Sequence, residues 1–165
     1  MNGKSLLLFP ALVLAACTDS TGPQPSLDGL PPGLSVALTV QPAEVSQHES
    51  FTVELSVTNT TANTIQYVTS HGCLALPNVV RSGQRIPFEG TALGCFTAIT
   101  THTFAPGETR SLTWDLRAQL YAQHPGEITG LPAPTGLYTV QAVFDPFPID
   151  GSVRKPTIEA LLRVM

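Results

Sequence analysis

Phe51-Thr52-Val53-Glu54-Leu55-Ser56-Val57-Thr58 decides the fold. Phe51, Val53, Leu55 and Val57 alternate with Thr52, Glu54, Ser56 and Thr58. A period of two puts the first set on one face of a strand and the second on the other. One face is apolar and the other polar, so the strand is half-buried and needs a second layer across it.

The same alternation recurs on both sides. Val36, Leu38 and Val40 alternate with Ser35, Ala37 and Thr39 until Gln41-Pro42 stops the strand. Asn59 to Asn63 reads as a turn of small polar residues, and Ile65, Tyr67 and Thr69 continue as the next strand. Leu74 to Phe88 is less regular, with short β-like pieces around Val79-Val80 and Arg85 to Phe88. Phe96, Ala98, Thr100, His102 and Phe104 share one face of a further strand. Ala105-Pro106-Gly107-Glu108 describes a type II turn: proline fixes φ at the first central position and glycine accepts a positive φ at the second. Leu112, Trp114 and Leu116 point inward from the strand that follows, and Leu116 to Ala122 has room for one helical turn. Tyr138, Val140, Ala142 and Phe144 line another strand; Ile158, Ala160, Leu162 and Val164 line the last. The expected fold is all-β, an antiparallel sandwich of seven to eight strands. A closed barrel is the alternative that alternation alone leaves open.

Composition agrees. Of 165 residues, 12% are charged, against about 25% in an ordinary soluble domain. The hydrophobic share is 42%, and 20 Thr and 11 Ser take the place of the missing ions. A disordered tail would be charged and poor in apolar residues, so that class is excluded. With 15 Pro and 13 Gly the chain is punctuated too often for a helical bundle. Net charge is −4 with 8 Lys and Arg. Nothing here neutralises a phosphate backbone, so no nucleic-acid partner is expected.

The first residues carry an address. Lys4 precedes an apolar run from Ser5 to Leu14 that is too short to span a bilayer as a helix. The run ends in Leu14-Ala15-Ala16-Cys17, which resembles the bacterial lipobox. That resemblance implies signal-peptide cleavage before Cys17 and acylation of Cys17, whose thiol is a good nucleophile for lipid transfer. Thr18, rather than Asp, follows it, which favours the outer membrane. The expected organisation is a lipoprotein signal peptide over 1–16, a lipidated Pro/Gly-rich tether over 17–33, and a sandwich domain over 34–165. The expected location is the bacterial cell envelope, with membrane lipid held through Cys17.

Taking Cys17 for lipid leaves Cys73 and Cys95. An even pair in an oxidising compartment usually bonds, so a disulfide is expected. Free thiols are one alternative. A metal site using His71 is another, although structural zinc favours a closer cysteine pair and four ligands; no metal ligand is assigned.

Phe51-x-Val53-x-Leu55-x-Val57-Thr58-Asn59, Ser70-His71-Gly72, Phe104-Ala105-Pro106-Gly107-Glu108, Trp114 and Gly136-Leu137-Tyr138-Thr139-Val140-Gln141-Ala142 occur in that order. Over roughly Ser35 to Phe144 this is similar to the immunoglobulin-like domain of the intracellular proteinase inhibitor family. The resemblance implies an immunoglobulin-like sandwich. Where that family has an Asp-Phe pair and a Trp, this chain has Cys73-Leu74-Ala75-Leu76-Pro77, so inhibition is carried over to no residue. Tyr138 reads as a tyrosine-corner residue. Trp114 reads as core, with a half-exposed aromatic in a binding groove as the alternative.

Catalytic signatures are lacking. Ser82-Gly83 follows Arg81 without the first glycine of a nucleophile elbow. His48, His71, His102 and His124 are scattered, and no HExxH, phosphate loop or dinucleotide fingerprint occurs. Carboxylates stand singly, which supports neither a glycosidase pair nor a calcium cage. Asn59-Thr60-Thr61 matches a glycosylation sequon, but a polar turn explains it. No catalytic residue and no cofactor is assigned, and the expected role is non-catalytic binding or structure. Two segments are candidates for a protein partner: 119–135, with Tyr121, Ile128 and Leu131, and 73–95, with Arg81 and Arg85. An envelope proteinase inhibitor is the alternative, and an enzyme with a non-local site the second.

Overall fold

The computed structural model describes residues 27–91, 94–121, 130–147 and 155–165. Twelve strands follow in order: β1 (Leu34–Gln41), β2 (Glu44–Val45), β3 (Ser50–Asn59), β4 (Ile65–Thr69), β5 (Ala75–Arg81), β6 (Gln84–Arg85), β7 (Phe88–Glu89), β8 (Thr100–Phe104), β9 (Thr109–Leu120), β10 (Leu131–Pro132), β11 (Gly136–Phe144) and β12 (Thr157–Val164). Four of these are two-residue pieces, which leaves eight strands of five residues or more. Among the described residues no helix is long and apolar enough to cross a membrane.

The first sheet runs β1-β3-β9-β10, with β7 also on β9; the second runs β2-β12-β11-β5-β6; β4 and β8 form a separate antiparallel pair. The order β1-β3-β9 facing β12-β11-β5 is the layout of an immunoglobulin-like sandwich. Phe51, Val53, Leu55 and Val57 are all buried. They meet Tyr138, Val140, Ala142 and Phe144 from β11 across two core clusters. Phe88 makes edge-on contacts with Phe51 and Tyr138, at centroid distances of 6.1 and 5.1 Å. Leu38 and Trp114 touch both clusters and join them.

The outer face of the first sheet explains the hydroxyl-rich composition. Across β3 and β9, Thr58 pairs with Thr109 at 2.9 Å, Ser56 with Ser111 at 3.3 Å, and Thr52 donates to Asp115 at 2.9 Å. Cross-strand pairs of this kind stabilise a sheet without ion pairs.

Two buried polar anchors fix the strand ends. Asn59 is fully buried; its amide nitrogen donates to the carbonyls of Asn63, Phe104 and Ala105, and its Oδ1 accepts from the Thr61 amide and hydroxyl. The sequon asparagine is thus consumed by the fold. The Tyr138 hydroxyl donates to the Pro134 carbonyl, the expected tyrosine corner. The turn at 105–108 is also as expected: Gly107 has φ +71°, and the Glu108 amide donates to the Ala105 carbonyl at 3.0 Å.

Four expectations need correction. The strand expected from Phe96 begins only at Thr100; Phe96 and Ile99 are 67% and 59% exposed, because the backbone there is tied to Gly72 instead of to a strand. The helical turn from Leu116 is not formed. β9 stays extended to Leu120, since Leu116 and Ala118 continue the inward alternation and β7 and β10 flank them. The stretch from Leu74 contains a seven-residue strand, β5, despite Pro77. Beside Pro77 only β11 pairs with β5, and β6 reaches only Val80 and Arg81, so the proline sits on an edge. Finally, Leu27 and Leu30, expected in the tether, pack on the second core cluster.

Replacing Asn59 by Ala leaves several carbonyls without a donor. Asn59→Ala is expected to lower unfolding free energy by about 2–4 kcal/mol, measured by urea denaturation; a loss under about 0.5 kcal/mol contradicts this role.

Candidate functional site

Cys73 and Cys95 form a disulfide with a Cα–Cα distance of 5.7 Å. The bond closes a loop of sequence separation 22, a constraint of about 3 kcal/mol on the unfolded chain by the loop-entropy estimate. It joins the segment after β4 to the segment before β8. The Gly72 amide donates to the Phe96 carbonyl at 3.0 Å, and the Phe96 ring lies 2.1 Å from where a Cβ on Gly72 would stand. Only glycine allows that approach.

A groove of about 440 Å³ opens beside the disulfide; Cys73, Leu74, His102, Arg110, Leu112 and Trp114 are among its lining. Trp114 is half-buried, packed on both core clusters and open to this groove. It packs as core residues do and also opens to a groove. Arg110 is held by Glu108 (Nε to Oε1, 2.7 Å) and lies over the Phe104 ring at 4.6 Å. The backbone amide of Ala105 and the Arg110 guanidinium hold the Glu108 carboxyl below its usual range.

Behind the groove lies a polar cluster that sequence spacing does not reveal. Thr69 is fully buried; its hydroxyl donates to the His71 carbonyl at 2.5 Å and lies 3.0 Å from His102 Nε2. His71 Nε2 faces Asp145 Oδ2 at 3.5 Å, and Lys155 Nζ holds Asp145 Oδ1 at 3.1 Å. Burial, and then the charge of Asp145, push the Tyr67 hydroxyl far above its ordinary pKa. The cluster draws on β4, β8 and the end of β11, which meet at one end of the sandwich; the signal available in sequence was only the shared face of Thr69 and His102 on neighbouring strands. The Thr69–His102 contact is a hydroxyl–imidazole pair, but the hydroxyl is sealed from solvent and already donates to a carbonyl.

The other candidate residues lie apart. Arg81 packs over the Tyr138 ring at 5.3 Å, reaches its hydroxyl at 3.5 Å and is partly buried, whereas Arg85 is exposed. Ser82-Gly83 forms the turn between β5 and β6, with φ of 51° and 79°, a type I′ hairpin. In the segment 119–135, Tyr121 and Leu131 are 44% and 45% exposed, while Ala133 is buried. Ile128, His124 and Cys17 lie outside the described residues. His48 lies at positive φ, with Nδ1 3.1 Å from Gln119 Oε1, away from the groove lining.

No protein-family model matches the sequence, and no curated protein matches it. Solved structures do. A β-glucosidase of Erythrobacter marinus aligns with TM-score 0.44 and 13% identity over 80% of this chain and 16% of that one. A β-glucosidase of Listeria innocua gives 0.43 and 13%, over 79% and 16%. The CARDB domain of a Pyrococcus furiosus protein gives 0.41 and 14%, over 81% and 94%. The chain spans about a sixth of the length of the two glucosidases. At these scores the likenesses carry no argument about activity. The immunoglobulin-like sandwich rests on the chain's own strand order.

His102 supplies a pH test. Burial holds its pKa below the ordinary imidazole value, and the charges of Arg110 and His71 add to this. Its neutral form thus favours the folded state. That contribution is complete above about pH 6.5, the ordinary imidazole range, and is lost as pH falls towards the lowered folded value. The thermal midpoint should drop between pH 7.5 and 5, and His102→Gln should flatten that slope; an undiminished slope in the variant contradicts the assignment.

Proposed function

We propose that the chain is a lipid-anchored lipoprotein of the bacterial cell envelope whose immunoglobulin-like domain binds rather than catalyses. One observation carries the reading: Leu14-Ala15-Ala16-Cys17 follows a short apolar run. The disulfide is consistent with an oxidising compartment. The apolar groove at Trp114, with Phe96 and Ile99 exposed in the segment just after Cys95, suits an apolar side chain of a protein partner. Thr18, rather than Asp, after Cys17 favours outer-membrane placement. Cys17→Ala is expected to abolish metabolic palmitate labelling and release the protein from the membrane fraction. Labelling that persists overturns the anchor.

Envelope proteinase inhibition is a second reading. Its support is the family resemblance together with exposed Arg85, held next to a hairpin turn within the disulfide-closed loop. An inhibitor should slow at least one trypsin-like protease at stoichiometric concentration and stay uncut, and Arg85→Ala should remove the effect. Cleavage at Arg85 without inhibition rejects this reading. Turnover of a substrate, lost on a single substitution, would replace both readings with an enzyme.

A further inference from the structure

We propose that Cys73, Cys95 and His71 form a redox-gated site for a thiophilic d¹⁰ metal ion, with zinc as the reference ion, that exists only when the disulfide is reduced. The sulfurs of Cys73 and Cys95 and a ring nitrogen of His71 all lie within 4.8 Å of one another. The three residues are partly buried, so a reductant and an ion can reach them. His71 has a ring nitrogen free to serve as a ligand. Its Nε2 is turned towards Asp145 Oδ2 at 3.5 Å, and its Nδ1 is buried without a hydrogen-bond partner. With the proton on Nε2 facing the carboxylate, Nδ1 offers its lone pair. A carboxylate behind an imidazole is the arrangement that fixes the ring of a metal-bound histidine, and Lys155 in turn fixes Asp145 at 3.1 Å.

The chemistry balances with a dithiol as reductant. One of its thiolates attacks a sulfur of the Cys73–Cys95 bond, and its second thiol displaces the mixed disulfide. The dithiol is oxidised to its own disulfide, and two electrons and two protons pass to Cys73 and Cys95. The ion then displaces both thiol protons to solvent and takes two thiolates and Nδ1. Two sulfurs on one tetrahedral zinc lie about 3.8 Å apart, given Zn–S of about 2.3 Å. Side-chain rotation provides that separation from a Cα–Cα distance of 5.7 Å. Two cysteines and one histidine leave the fourth position of a tetrahedral ion to water. Oxidation withdraws both sulfurs at once, so the bond and the ion exclude each other.

The test uses the full chain in detergent, carrying Cys17→Ser so that zinc meets thiols only at Cys73 and Cys95. Its outcome does not depend on whether the chain is lipidated. The protein is reduced with a phosphine, which adds no competing thiol, and titrated with Zn²⁺. One equivalent should bind and protect both thiols from alkylation, while the oxidised protein binds none. Zinc-edge X-ray absorption should show two sulfurs and an imidazole nitrogen. His71→Ala should weaken binding at least tenfold. Asp145→Asn should weaken it about 10–100-fold while keeping the same absorption signature, as befits a positioning residue. Lack of binding by the reduced protein, a ligand shell without imidazole, or unchanged affinity in His71→Ala each overturns the proposal. The absorption result on the unsubstituted site decides it even where a variant fails to fold.

Discussion

Phe51, Val53, Leu55 and Val57 can leave water together only if a second sheet lies across them, and that closure governs the rest of the molecule. β11 supplies the opposite wall with its own alternating set, and β12 and β5 extend it on either side. Burying a side chain of this kind is worth about 1.5–3 kcal/mol, so the two clusters provide the main driving force, and Leu38 and Trp114 couple them. With the interior committed to apolar groups, backbone groups left over at the strand ends must be met by a few polar side chains. Asn59 does this at the end of β3, and Tyr138 does it near the start of β11.

The end of the sandwich holding β4 and β8 is built differently. That pair is not hydrogen-bonded into either large sheet, and between β4 and β5, and again over 94–99, the chain leaves regular structure. A covalent bond, the Phe96 ring on Gly72 and the Thr69–His71–His102 contacts add there to a short backbone bridge between β4 and the chain just after β11. Irregular backbone frees side chains from strict alternation. It therefore exposes Phe96 and Ile99, leaves Trp114 half-covered, and gathers His71, His102 and Asp145 into one small volume. The groove and the polar cluster are consequences of the same departure from regular pairing.

Strands read well from sequence where burial alone sets their pattern. β1, β3, β11 and β12 follow the alternation of their apolar residues, and the turn at 105–108 follows from Pro106 and Gly107. The reading fails where a long-range constraint outranks local pattern. Phe96, Ala98 and Thr100 alternate correctly for a strand, but the disulfide ties Cys95 to Cys73 and the Gly72 amide takes the Phe96 carbonyl, so Phe96 stays outside. The stretch around Pro77 looks irregular in sequence because its edge position is a property of the whole sheet. Ser82-Gly83 reads in sequence only as an incomplete nucleophile elbow, and it forms the β5–β6 hairpin turn. Of the site, the cysteine pair was visible from counting. The approach of Asp145 to His71 was not, since no local spacing encodes a meeting between β4 and the end of β11.

Low charge and the polar cluster are linked. Hydroxyl pairs serve part of the first sheet's outer face, and ion pairs are spent sparingly: four join a Lys or Arg to a carboxylate among the described residues. Asp145, paired with Lys155 and in contact with His71, is far less exposed than the partners of the ordinary surface pairs, with its side chain 16% exposed against 61% for Glu44. Surface pairs contribute little, about 0–1 kcal/mol. A carboxylate drawn this far out of water costs more than such a pair returns unless its oxygens are matched; here Lys155 Nζ stands 3.1 Å from Oδ1 and His71 Nε2 3.5 Å from Oδ2, yet Oδ1 has no hydrogen-bond partner. The rest of the domain shows that this sequence can solve its solubility with threonine and serine. A shielded Asp–His–Lys line beside a disulfide is therefore the place where the chain departs most from its own economy of charge, and it is the place where a further role is most reasonably sought.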